Sequence, residues 1–537
     1  MKSTRQPNDM NYFFWYFPAQ EKPEKSPVVV WLNGGPGATD ILGIFAENGP
    51  CKIDKDLKQV PNPNSWNKKY NMLYVDQPMH VGYSYDQPTR GFFHPENGTF
   101  QALGPNDKPP PFKEEFIGTF SSQDPQSTAN TTLNAARHFW NLMQVLTRDF
   151  LKDQPSDGTL SIWAESFGGH YSPVFARFTQ DQNIRIAKGK LNDSITLDLS
   201  TVGIMNGCVD TETEILSRPE FAFDTNTYGI QHISKEERDA ARELFSKPGG
   251  CRDMLRQCNR LGASKDVAFV GRNDEVNKAC SEAERFCSEK VDGAYFKQPT
   301  KRSTFDITQC VFSTDVPNEN FRRYLNSQKV IDALQLPVNL TEFSRTCFEE
   351  FEKTGDGVRR HMPAIASLLD LGIPIAMVYG DRDWICNWRG QVSKAIKHTQ
   401  ADRFFNHSGY TDIEDDGKVV GQVRQQGLLS FTRLFQASHF ASASQPESSF
   451  TVFDRAMQNK DIATGKIDVD AGFATEGSVD STVASERPAL LAPVCSLLSI
   501  GETCAKNQIE AVVNGTAAIK DGIVTSPQLP PGICPTS

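Results

Sequence analysis

The sequence predicts an α/β fold with a mostly parallel central sheet. Short segments such as Val28–Leu32 and Ile373–Gly380 are almost continuously apolar. Strands of a parallel sheet have this composition, because helices bury both faces of such a sheet. Segment Ser127–Leu151 instead has apolar residues at helical spacing. The alternation of these two patterns along the chain indicates layered strands and helices, with helices on both faces of the sheet.

The predicted elements follow one another over most of the chain. The first two strands flank a charged turn at Glu21–Lys25, where a proline and four charges interrupt the apolar pattern and suggest a hairpin. In chain order, the predicted elements are strands Tyr12–Phe17, Val28–Leu32 and Met72–Val75, helix Ser127–Leu151, strands Ser161–Glu165 and Val202–Met205, helix Met362–Leu371 and strand Ile373–Gly380.

Changes of composition divide the chain into four predicted parts. Residues 1–209 and 360–466 carry the strand and helix pattern and form the two halves of the core. Between them, residues 210–359 are richer in charge and cysteine, which indicates a disulfide-rich cap inserted over the sheet. Residues 467–537 begin with a Gly, Ser, Thr and Asp-rich stretch, which predicts a loose linker and a C-terminal extension.

The charge balance excludes some partners. The net charge is −10 and the pI is near 5.5, whereas nucleic acid calls for a basic surface. No run of 18 or more apolar residues occurs, so we expect no membrane span. The first residues contain no apolar segment, so a signal peptide is not visible and we expect a targeting segment to be missing from this sequence.

Cysteines and glycosylation sequons point to an oxidising compartment. The chain has 12 cysteines, and no two of them form the C-x-x-C pair that is typical of zinc sites. Disulfides are therefore the better interpretation. The sequons agree with a secreted or vacuolar glycoprotein. The candidate glycosylation sites are Asn97, Asn130, Asn192, Asn339, Asn406 and Asn514.

A nucleophile elbow is predicted at Ser166. A short apolar run precedes this serine, and two glycines and a helical segment follow it. In such an elbow the strand turns sharply and presents the hydroxyl above the sheet. Ala164 stands where the strict G-x-S-x-G motif has glycine. The alternative is an ordinary strand–loop–helix junction in which Ser166 caps the helix.

A serine nucleophile needs a histidine and an orienting carboxylate, which in α/β-hydrolases come in the order Ser, Asp, His. Asp383 follows a predicted buried strand, and His439 lies in a loop near the end of the core. The alternatives are a helix cap or surface acid for Asp383 and an ordinary core or surface histidine for His439.

The chain resembles the serine carboxypeptidases in five segments that occur in the family's order. The matching segments are Trp31–Gly37, Val75–Pro78 with Gly82–Tyr85, Glu165–Tyr171, Gly380–Trp388 and, more loosely, His439–Phe440 with Gln445–Pro446. The resemblance implies an α/β-hydrolase fold with an inserted cap. It also implies an enzyme that releases the C-terminal residue of a peptide or protein through an acyl-enzyme, without a metal or an organic cofactor.

The resemblance assigns the catalytic positions. It implies that Ser166 is the nucleophile, His439 the general base and acid, and Asp383 the carboxylate that orients the histidine. Asp381, the first acid of the matching G-D-x-D motif, is then structural. The backbone N–H groups of Gly35 and Phe167 are the implied oxyanion hole.

The resemblance also assigns substrate contacts. Asn33, Glu47 and Glu165 are expected to bind the free carboxylate of the substrate. One of the two acids should keep its proton beside that carboxylate, which predicts an acidic working range. The alternatives are a salt-bridged elbow residue for Glu165 and a surface acid for Glu47. Phe440 and Cys386 are expected to line the substrate pocket. The alternative for Phe440 is packing in the core. Cys386 is expected to be an unpaired cysteine.

Some positions depart from the family pattern. Ala38 stands where the family usually has cysteine, so that disulfide is expected to be absent or rerouted, with Cys51 as an alternative partner.

Two other functions stay open from the sequence. One is an esterase or acyltransferase with the same triad, and the other is a catalytically silent binding protein. The acids at Glu47 and Glu165 favour the peptidase.

Overall fold

A computed structural model describes residues 8–108, 116–313, 319–391 and 408–536 of the chain. In chain order the strands are β1 (Phe14–Phe17), β2 (Val28–Leu32), β3 (Cys51–Ile53), β4 (Gln59–Pro61), β5 (Asn71–Val75), β6 (Pro88–Phe93), β7 (Phe100–Ala102), β8 (Ile117–Ser121), β9 (Thr159–Glu165), β10 (Asp198–Met205), β11 (Ile375–Gly380), β12 (Thr411–Asp415), β13 (Lys418–Gln426), β14 (Leu429–Leu434), β15 (Ala518–Lys520) and β16 (Ile523–Ser526).

The α-helices range from single turns to about five turns. In chain order they are α1 (Thr132–Asp149), α2 (Gly168–Ala187), α3 (Thr211–Glu214), α4 (Ser217–Glu220), α5 (Lys235–Ser246), α6 (Cys251–Lys265), α7 (Asp274–Phe286), α8 (Gly293–Lys297), α9 (Glu319–Leu325), α10 (Gln328–Leu334), α11 (Arg345–Thr354), α12 (Met362–Asp370), α13 (Trp388–Gln391), α14 (Ala441–Ser444), α15 (Pro446–Met457), α16 (Ile500–Thr503) and α17 (Lys506–Val513).

A nine-stranded sheet forms the centre of the molecule. Its order is β1-β5-β2-β9-β10-β11-β14-β13-β12. The six strands from β5 to β14 run parallel, and only β1, β13 and β12 pair antiparallel at the two edges. The prediction of a mostly parallel sheet is confirmed. The carboxyl ends of β9, β11 and β14 therefore lie along one edge, where the loops that follow them meet.

Two details of the sheet differ from the prediction. The first two strands do not form a hairpin, because β5 lies between them and pairs with both. A charged turn predicts that the chain changes direction, but it does not predict which strands pair with each other. The strands β12, β13 and β14 were not predicted. Every second residue over much of β13 is at least partly exposed, so the polar stretch lacks the continuous apolar signal of a central strand.

Both faces of the sheet are covered. Val28, Val30 and Leu32 of β2 pack into one hydrophobic cluster with α1, α2 and α12. Val29 and Trp31, which alternate with them, pack into a second cluster with α15. This alternation follows from the two-residue period of a strand. Since every residue of β2 is buried, the strand reads as continuously apolar in the sequence.

Along the chain, helices α3 to α11 come after β10 and before α12. We call residues 210–359 the insertion and residues 467–537 the extension, a division that stays a prediction. Helices α5, α6 and α7 share a small hydrophobic cluster. The disulfides Cys251–Cys287 and Cys258–Cys280 join α6 to α7 and to the residue that follows α7. The extension contains Cys495–Cys504 and is tied to the insertion by Cys310–Cys534. Disulfides, rather than zinc, account for these cysteines.

The later part of the extension is more ordered than a loose tail. Helices α16 and α17 and the hairpin β15–β16 surround a hydrophobic cluster of their own. Within the described residues, none of the helices has both the length and the apolar character that crossing a membrane requires.

Candidate active site

Ser166 lies in a strained turn at the carboxyl end of β9. Its φ is 62°, a left-handed value that is costly for a residue with a side chain. Three backbone hydrogen bonds hold the turn. The Ser166 N–H donates to Met205, and the Ser166 carbonyl accepts from Gly169 and Cys208 at 2.9 and 3.0 Å. This is the geometry of a nucleophile elbow, in which the strand ends and α2 begins within three residues.

The glycine after the elbow is required by a close backbone approach. A Cβ atom at Gly169 would lie 2.4 Å from the Cys208 carbonyl oxygen. Gly168 has a similar role beside the strand, since its Cβ would meet that of Ala164 at 2.6 Å. A methyl group at position 164 is therefore tolerated because position 168 has none. This explains the departure from the strict motif.

Asp383 and His439 are brought together by the loops after β11 and β14. Nδ1 of His439 lies 2.8 Å from Oδ2 of Asp383, and both side chains are buried. The other carboxylate oxygen, Oδ1, accepts from the backbone N–H groups of Ile385 and Cys386. Nε2 of His439 is buried and has no hydrogen-bond partner within the described residues. The imidazole is thus oriented on one side and open to a proton on the other.

Asn206 connects the serine turn to the acid loop, and it lies outside the motifs identified in the sequence. Its Nδ2 donates to Oδ2 of Asp383 at 2.9 Å, and its Oδ1 accepts from the Gly380 N–H. It directly follows Met205, whose carbonyl accepts from Ser166. A polar residue at the carboxyl end of a predicted parallel strand was the signal that could have identified it.

A buried cluster of one amide and two acids lies beside the nucleophile. Nδ2 of Asn33 donates to Glu47 Oε1 at 3.1 Å and to Glu165 Oε2 at 3.2 Å. Each of the three side chains is only 1% exposed. Glu165 directly precedes Ser166, so the cluster is attached to the elbow. The three residues that the resemblance assigned to carboxylate binding are therefore in contact with one another.

The surroundings of this cluster favour the protonated form of Glu165. Burial raises the pKa of Glu165 well above its usual range, and the charge and hydrogen bond of Glu47 raise it further. The Asn33 amide acts in the opposite direction by donating to the carboxylate. Two carboxyl groups this close cannot both ionise cheaply in a buried site. At pH values below its raised pKa, Glu165 therefore carries a proton that it can donate.

The amide of Asn33 is held in one orientation. Its Oδ1 accepts from the Trp31 indole N–H at 2.9 Å and from the Gly43 N–H at 3.1 Å. Its backbone N–H donates to Asp40. Because Oδ1 faces these donors, Nδ2 must face the two acids.

The loop after β2 touches the elbow through Gly34. A Cβ atom there would lie 2.4 Å from the Phe167 nitrogen, so only glycine allows this approach. In the described residues, neither the Gly35 amide nor the Phe167 amide donates to another backbone group. An oxyanion hole requires N–H groups that are not already committed to another acceptor, and neither of these two amides is committed to the backbone.

Two aromatic rings lie next to the imidazole. Phe440 follows His439 and is half-buried, with a ring centroid 5.3 Å from that of His439. Phe305, from the insertion, lies 4.9 Å from the imidazole centroid and was not predicted. More than 130 residues of chain separate Phe305 from His439, so no local pattern in the sequence indicated this contact.

The expectation of an unpaired Cys386 is wrong. Cys386 forms a disulfide with Cys208, with the two Cα atoms 5.0 Å apart. The two cysteines are 178 residues apart in sequence, and they meet because β10 and β11 are neighbours in the sheet. The bond ties the loop after β10 to the loop that carries Asp383. Cys386 remains buried beside the site.

The two cysteines without a disulfide are Cys51 and Cys347. Cys51 does not take over the disulfide that Ala38 removes. Sγ of the buried Cys347 lies 3.6 Å from where a Cβ would stand on Gly37, the residue next to Ala38. The unpaired state of Cys347 thus agrees with alanine at position 38.

Asp381 has a structural environment. It is fully buried and pairs with Arg433 of β14 at 3.0 Å. It also accepts from the Tyr228 hydroxyl at 2.5 Å. Burial raises the pKa of Asp381, and Arg433 opposes that rise. The pair links the acid loop, the sheet and the start of the insertion.

Within the described part of the chain, one group of side chains has the spacing of a metal site: Asp383, Cys386 and His439. The Cys386 sulfur is bonded to Cys208, so only a carboxylate and an imidazole remain. This is fewer than the three protein ligands of a catalytic zinc site.

The sequons differ in exposure. Asn97, Asn192 and Asn514 are exposed, whereas Asn130 and Asn339 are half-buried. Asn339 also accepts a hydrogen bond from the Thr119 N–H. The sequon at Asn406 lies outside the described residues. The three exposed asparagines are the better candidates for glycosylation.

Comparisons with known proteins identify the family of this chain. A family model described as serine carboxypeptidase matches residues 3–459. The Carboxypeptidase Y homolog of Arthroderma benhamiae is 43% identical over 100% of this chain and 86% of its own length. Carboxypeptidase S1 of Penicillium janthinellum is 27% identical over 85% of this chain and 94% of its own length.

A solved structure matches the fold. Kex1(Δ)p, a prohormone-processing carboxypeptidase from Saccharomyces cerevisiae, superposes with a TM-score of 0.58 at 21% identity, covering 88% of this chain and 91% of that one. This likeness and the sheet described above confirm the predicted α/β-hydrolase fold.

Proposed function

This chain belongs to the serine carboxypeptidase family, and from that premise we propose that Ser166, His439 and Asp383 are its catalytic triad. The family membership makes the protein a hydrolase that acts as an exopeptidase on peptides. The strained turn at Ser166 and the bond between His439 and Asp383 support the residue assignment.

In the proposed reaction, Oγ of Ser166 attacks the carbonyl carbon of the last peptide bond while Nε2 of His439 takes the hydroxyl proton. His439 then gives that proton to the leaving amine, which frees the C-terminal residue and leaves the shortened peptide as an ester on Ser166. Water attacks this ester with the same imidazole as base, the bond between the acyl carbon and Ser166 Oγ breaks, the shortened peptide leaves with a new carboxyl group, and His439 returns the proton to Ser166. Hydrogen bonds in such triads often tighten only when substrate binds, which fits the open Nε2.

The amides of Gly35 and Phe167 are the proposed oxyanion hole. The negative charge that develops on the substrate oxygen needs donors that are already in place. The close approach of Gly34, the residue before Gly35, to the Phe167 nitrogen supports this assignment. Loss of one such donor typically costs a factor of about 100 to 1,000 in kcat.

The buried Asn33–Glu47–Glu165 cluster is the observation that carries the exopeptidase assignment. An esterase has no need for a proton-sharing acid pair beside its nucleophile. A peptide carboxylate can accept from the acid that keeps its proton, and it can accept from Asn33 Nδ2 by displacing one of the two acids to which that group donates. Each hydrogen bond to a charged group contributes about 1.5–3 kcal/mol.

The deciding experiment compares a blocked dipeptide with its C-terminal amide. Because the amide lacks the carboxylate, we expect its kcat/KM to be lower by at least about 100-fold. The matched control is Ser166→Ala, which should lose both activities and labelling by an organophosphonate. Equal rates on acid and amide would favour the esterase. Unchanged labelling of Ser166→Ala would contradict the nucleophile assignment.

A second prediction concerns pH. The raised pKa of Glu165 means that its protonated, donating form is lost as pH rises through that pKa. The kcat/KM for the dipeptide should therefore fall on the alkaline side. Glu165→Gln keeps a donor at every pH, so the alkaline fall should flatten, with at most about a tenfold loss at acidic pH.

The control for this prediction is Glu284→Gln. Burial raises the pKa of Glu284 on α7 to about 8, and this acid lies outside the cluster. The variant should keep the alkaline fall of the native enzyme. A pH–rate profile on the dipeptide measures both variants, and an unchanged fall in Glu165→Gln would overturn the shared-proton account.

We further propose that the protein is a secreted or vacuolar glycoprotein. Five disulfides and the exposed sequons support an oxidising compartment.

The half-buried ring of Phe440 beside His439 supports its proposed place in the pocket for the leaving residue.

A further inference from the structure

We propose that Asp40 is a positioning residue of the reaction, because it fixes the loop that carries the Gly35 amide. We call residues 33–40 the oxyanion loop. The proposal rests on the oxyanion hole proposed above and deepens it. Asp40 is fully buried, so it acts through the backbone of the oxyanion loop rather than on the substrate. Its role follows from the two strands that its carboxyl group joins.

The carboxyl group of Asp40 joins the ends of two neighbouring strands. Strands β2 and β5 run parallel, and the last residues paired between them are Trp31 and Tyr74. Beyond this pair, the Asn33 N–H donates to Oδ1 of Asp40 at 2.5 Å. The Val75 N–H donates to Oδ2 at 3.2 Å. The side chain therefore bridges the two strands at the point where their own hydrogen bonds stop.

The contact between Asn33 and Asp40 closes the base of the oxyanion loop. The chain leaves β2 at Asn33 and returns to it at Asp40, seven residues later. In between lies Gly34, where a Cβ atom would stand 2.4 Å from the Phe167 nitrogen of the elbow. A shift at the base therefore changes how the oxyanion loop meets the elbow. It also moves the Gly35 amide, and a displacement of about 1 Å can lower a rate about 100-fold.

Other contacts hold the far side of the oxyanion loop. The hydroxyl of Thr39 donates to Oδ1 of the buried Asp76 at 2.5 Å. The Thr39 N–H donates to the Glu342 carbonyl, and the Gly37 carbonyl accepts from the Ser344 N–H, both at 2.9 Å. The insertion thus holds the outer part of the loop, whereas the contact at the base ties the loop to the central sheet.

The surroundings of Asp40 make its two donors hard to replace. Burial and the nearby charges of Asp76 and Glu47 raise the pKa of Asp40. The N–H groups of Asn33 and Val75 oppose that rise. Both oxygens can accept these N–H groups whether or not the carboxyl group carries a proton. Without this side chain, two buried N–H groups lose their acceptor, so the backbone has to move to satisfy them.

The test compares the full-length enzyme with Asp40→Ala on a blocked dipeptide and on its thioamide, in which sulfur replaces the oxygen of the scissile carbonyl. For the dipeptide, kcat should fall by about 10- to 100-fold while KM changes by less than about threefold. The native preference for oxygen over sulfur should shrink by a similar factor. A displaced Gly35 amide stabilises the oxygen anion less, whereas sulfur is a poor hydrogen-bond acceptor in either enzyme.

Asp40→Asn is the second variant. Its side chain keeps an acceptor for the Asn33 N–H, but its NH₂ group faces the Val75 N–H, so its loss of kcat should be smaller than that of Asp40→Ala. The matched control is Asp461→Ala. Asp461 is also buried and accepts three backbone N–H groups of the turn that follows α15. This control should lose stability but keep the native kcat and the native oxygen preference.

A fall in kcat together with a reduced oxygen preference supports the proposal. Labelling with an organophosphonate counts the reactive Ser166 sites, so a smaller folded population is separated from slower turnover at each site. Native turnover per labelled site, or a native oxygen preference, in both Asp40 variants would overturn the proposal. If the alanine variant does not fold, the asparagine variant decides. Equal rates of the native enzyme on the dipeptide and its thioamide would instead contradict the proposed oxyanion hole itself.

Discussion

Asp383→Asn is expected to lower kcat/KM by about 10,000-fold while the protein stays folded. The reason is that one of the two carboxylate oxygens of Asp383 already accepts hydrogen bonds from the backbone. Oδ1 of Asp383 accepts two backbone N–H groups, so an asparagine there must place its carbonyl oxygen at that position. Its NH₂ group then faces Nδ1 of His439 and forces the proton of the neutral imidazole onto Nε2. An imidazole in that tautomer cannot take the proton of Ser166.

The matched variant is Asn206→Ala, which removes one donor to Asp383 Oδ2 and keeps the carboxylate. Its loss should be about tenfold, the effect of one hydrogen bond. Steady-state kinetics on a blocked dipeptide, organophosphonate labelling rates and thermal unfolding measure both variants. If Asp383→Asn kept more than a tenth of the native kcat/KM, the role assigned to Asp383 would be wrong.

Arg433→Met should destabilise the protein by about 3–5 kcal/mol. Arg433 and Asp381 are both fully buried, and the guanidinium also donates to Ser481 and to the Val483 carbonyl of the extension. Removing the cation leaves the Asp381 charge buried without its partner. The matched control is Arg389→Met. Arg389 pairs with Asp480 at the surface, and such exposed pairs contribute about 0–1 kcal/mol.

The pH dependence distinguishes a lost ion pair from lost packing. Arg433 counteracts the effect of burial on the pKa of Asp381, so without it that pKa rises further. Asp381 is then neutral in the folded variant at low pH, and the destabilisation should be smaller near pH 4 than at pH 7. Denaturant unfolding at the two pH values measures this. An equal loss at both pH values, or a double variant with Asp381→Asn no more stable than Arg433→Met, would contradict the ion-pair explanation.

Much of the core could be predicted because its signals are local. Strand β2 reads as a buried strand because all five of its residues are buried, and the elbow reads as a turn because glycines follow Ser166. The edge strands were missed for the opposite reason. Half of β13 is polar and faces solvent, so its pairing depends on β14 rather than on its own composition.

The candidate site shows the same division. The residues in matching motifs, such as Asn33 and His439, were identified from the sequence. Asn206 and Phe305 were not, although both contact the acid or the histidine. The expectation for Cys386 failed because its partner lies 178 residues away, and cysteine spacing does not determine connectivity.

By itself, the sequence determined the fold class, the family, and the order in which a serine, an acid and a histidine occur. These follow from short-range periodicity and from motifs in which each residue has a local reason. Only the tertiary structure decided which strands are neighbours, which cysteines pair, and that the insertion places Phe305 against His439. Several of these contacts join residues more than 100 positions apart, such as Cys208 with Cys386 and Cys310 with Cys534. The free energy of packing that selects them depends on shape and burial that no local pattern records.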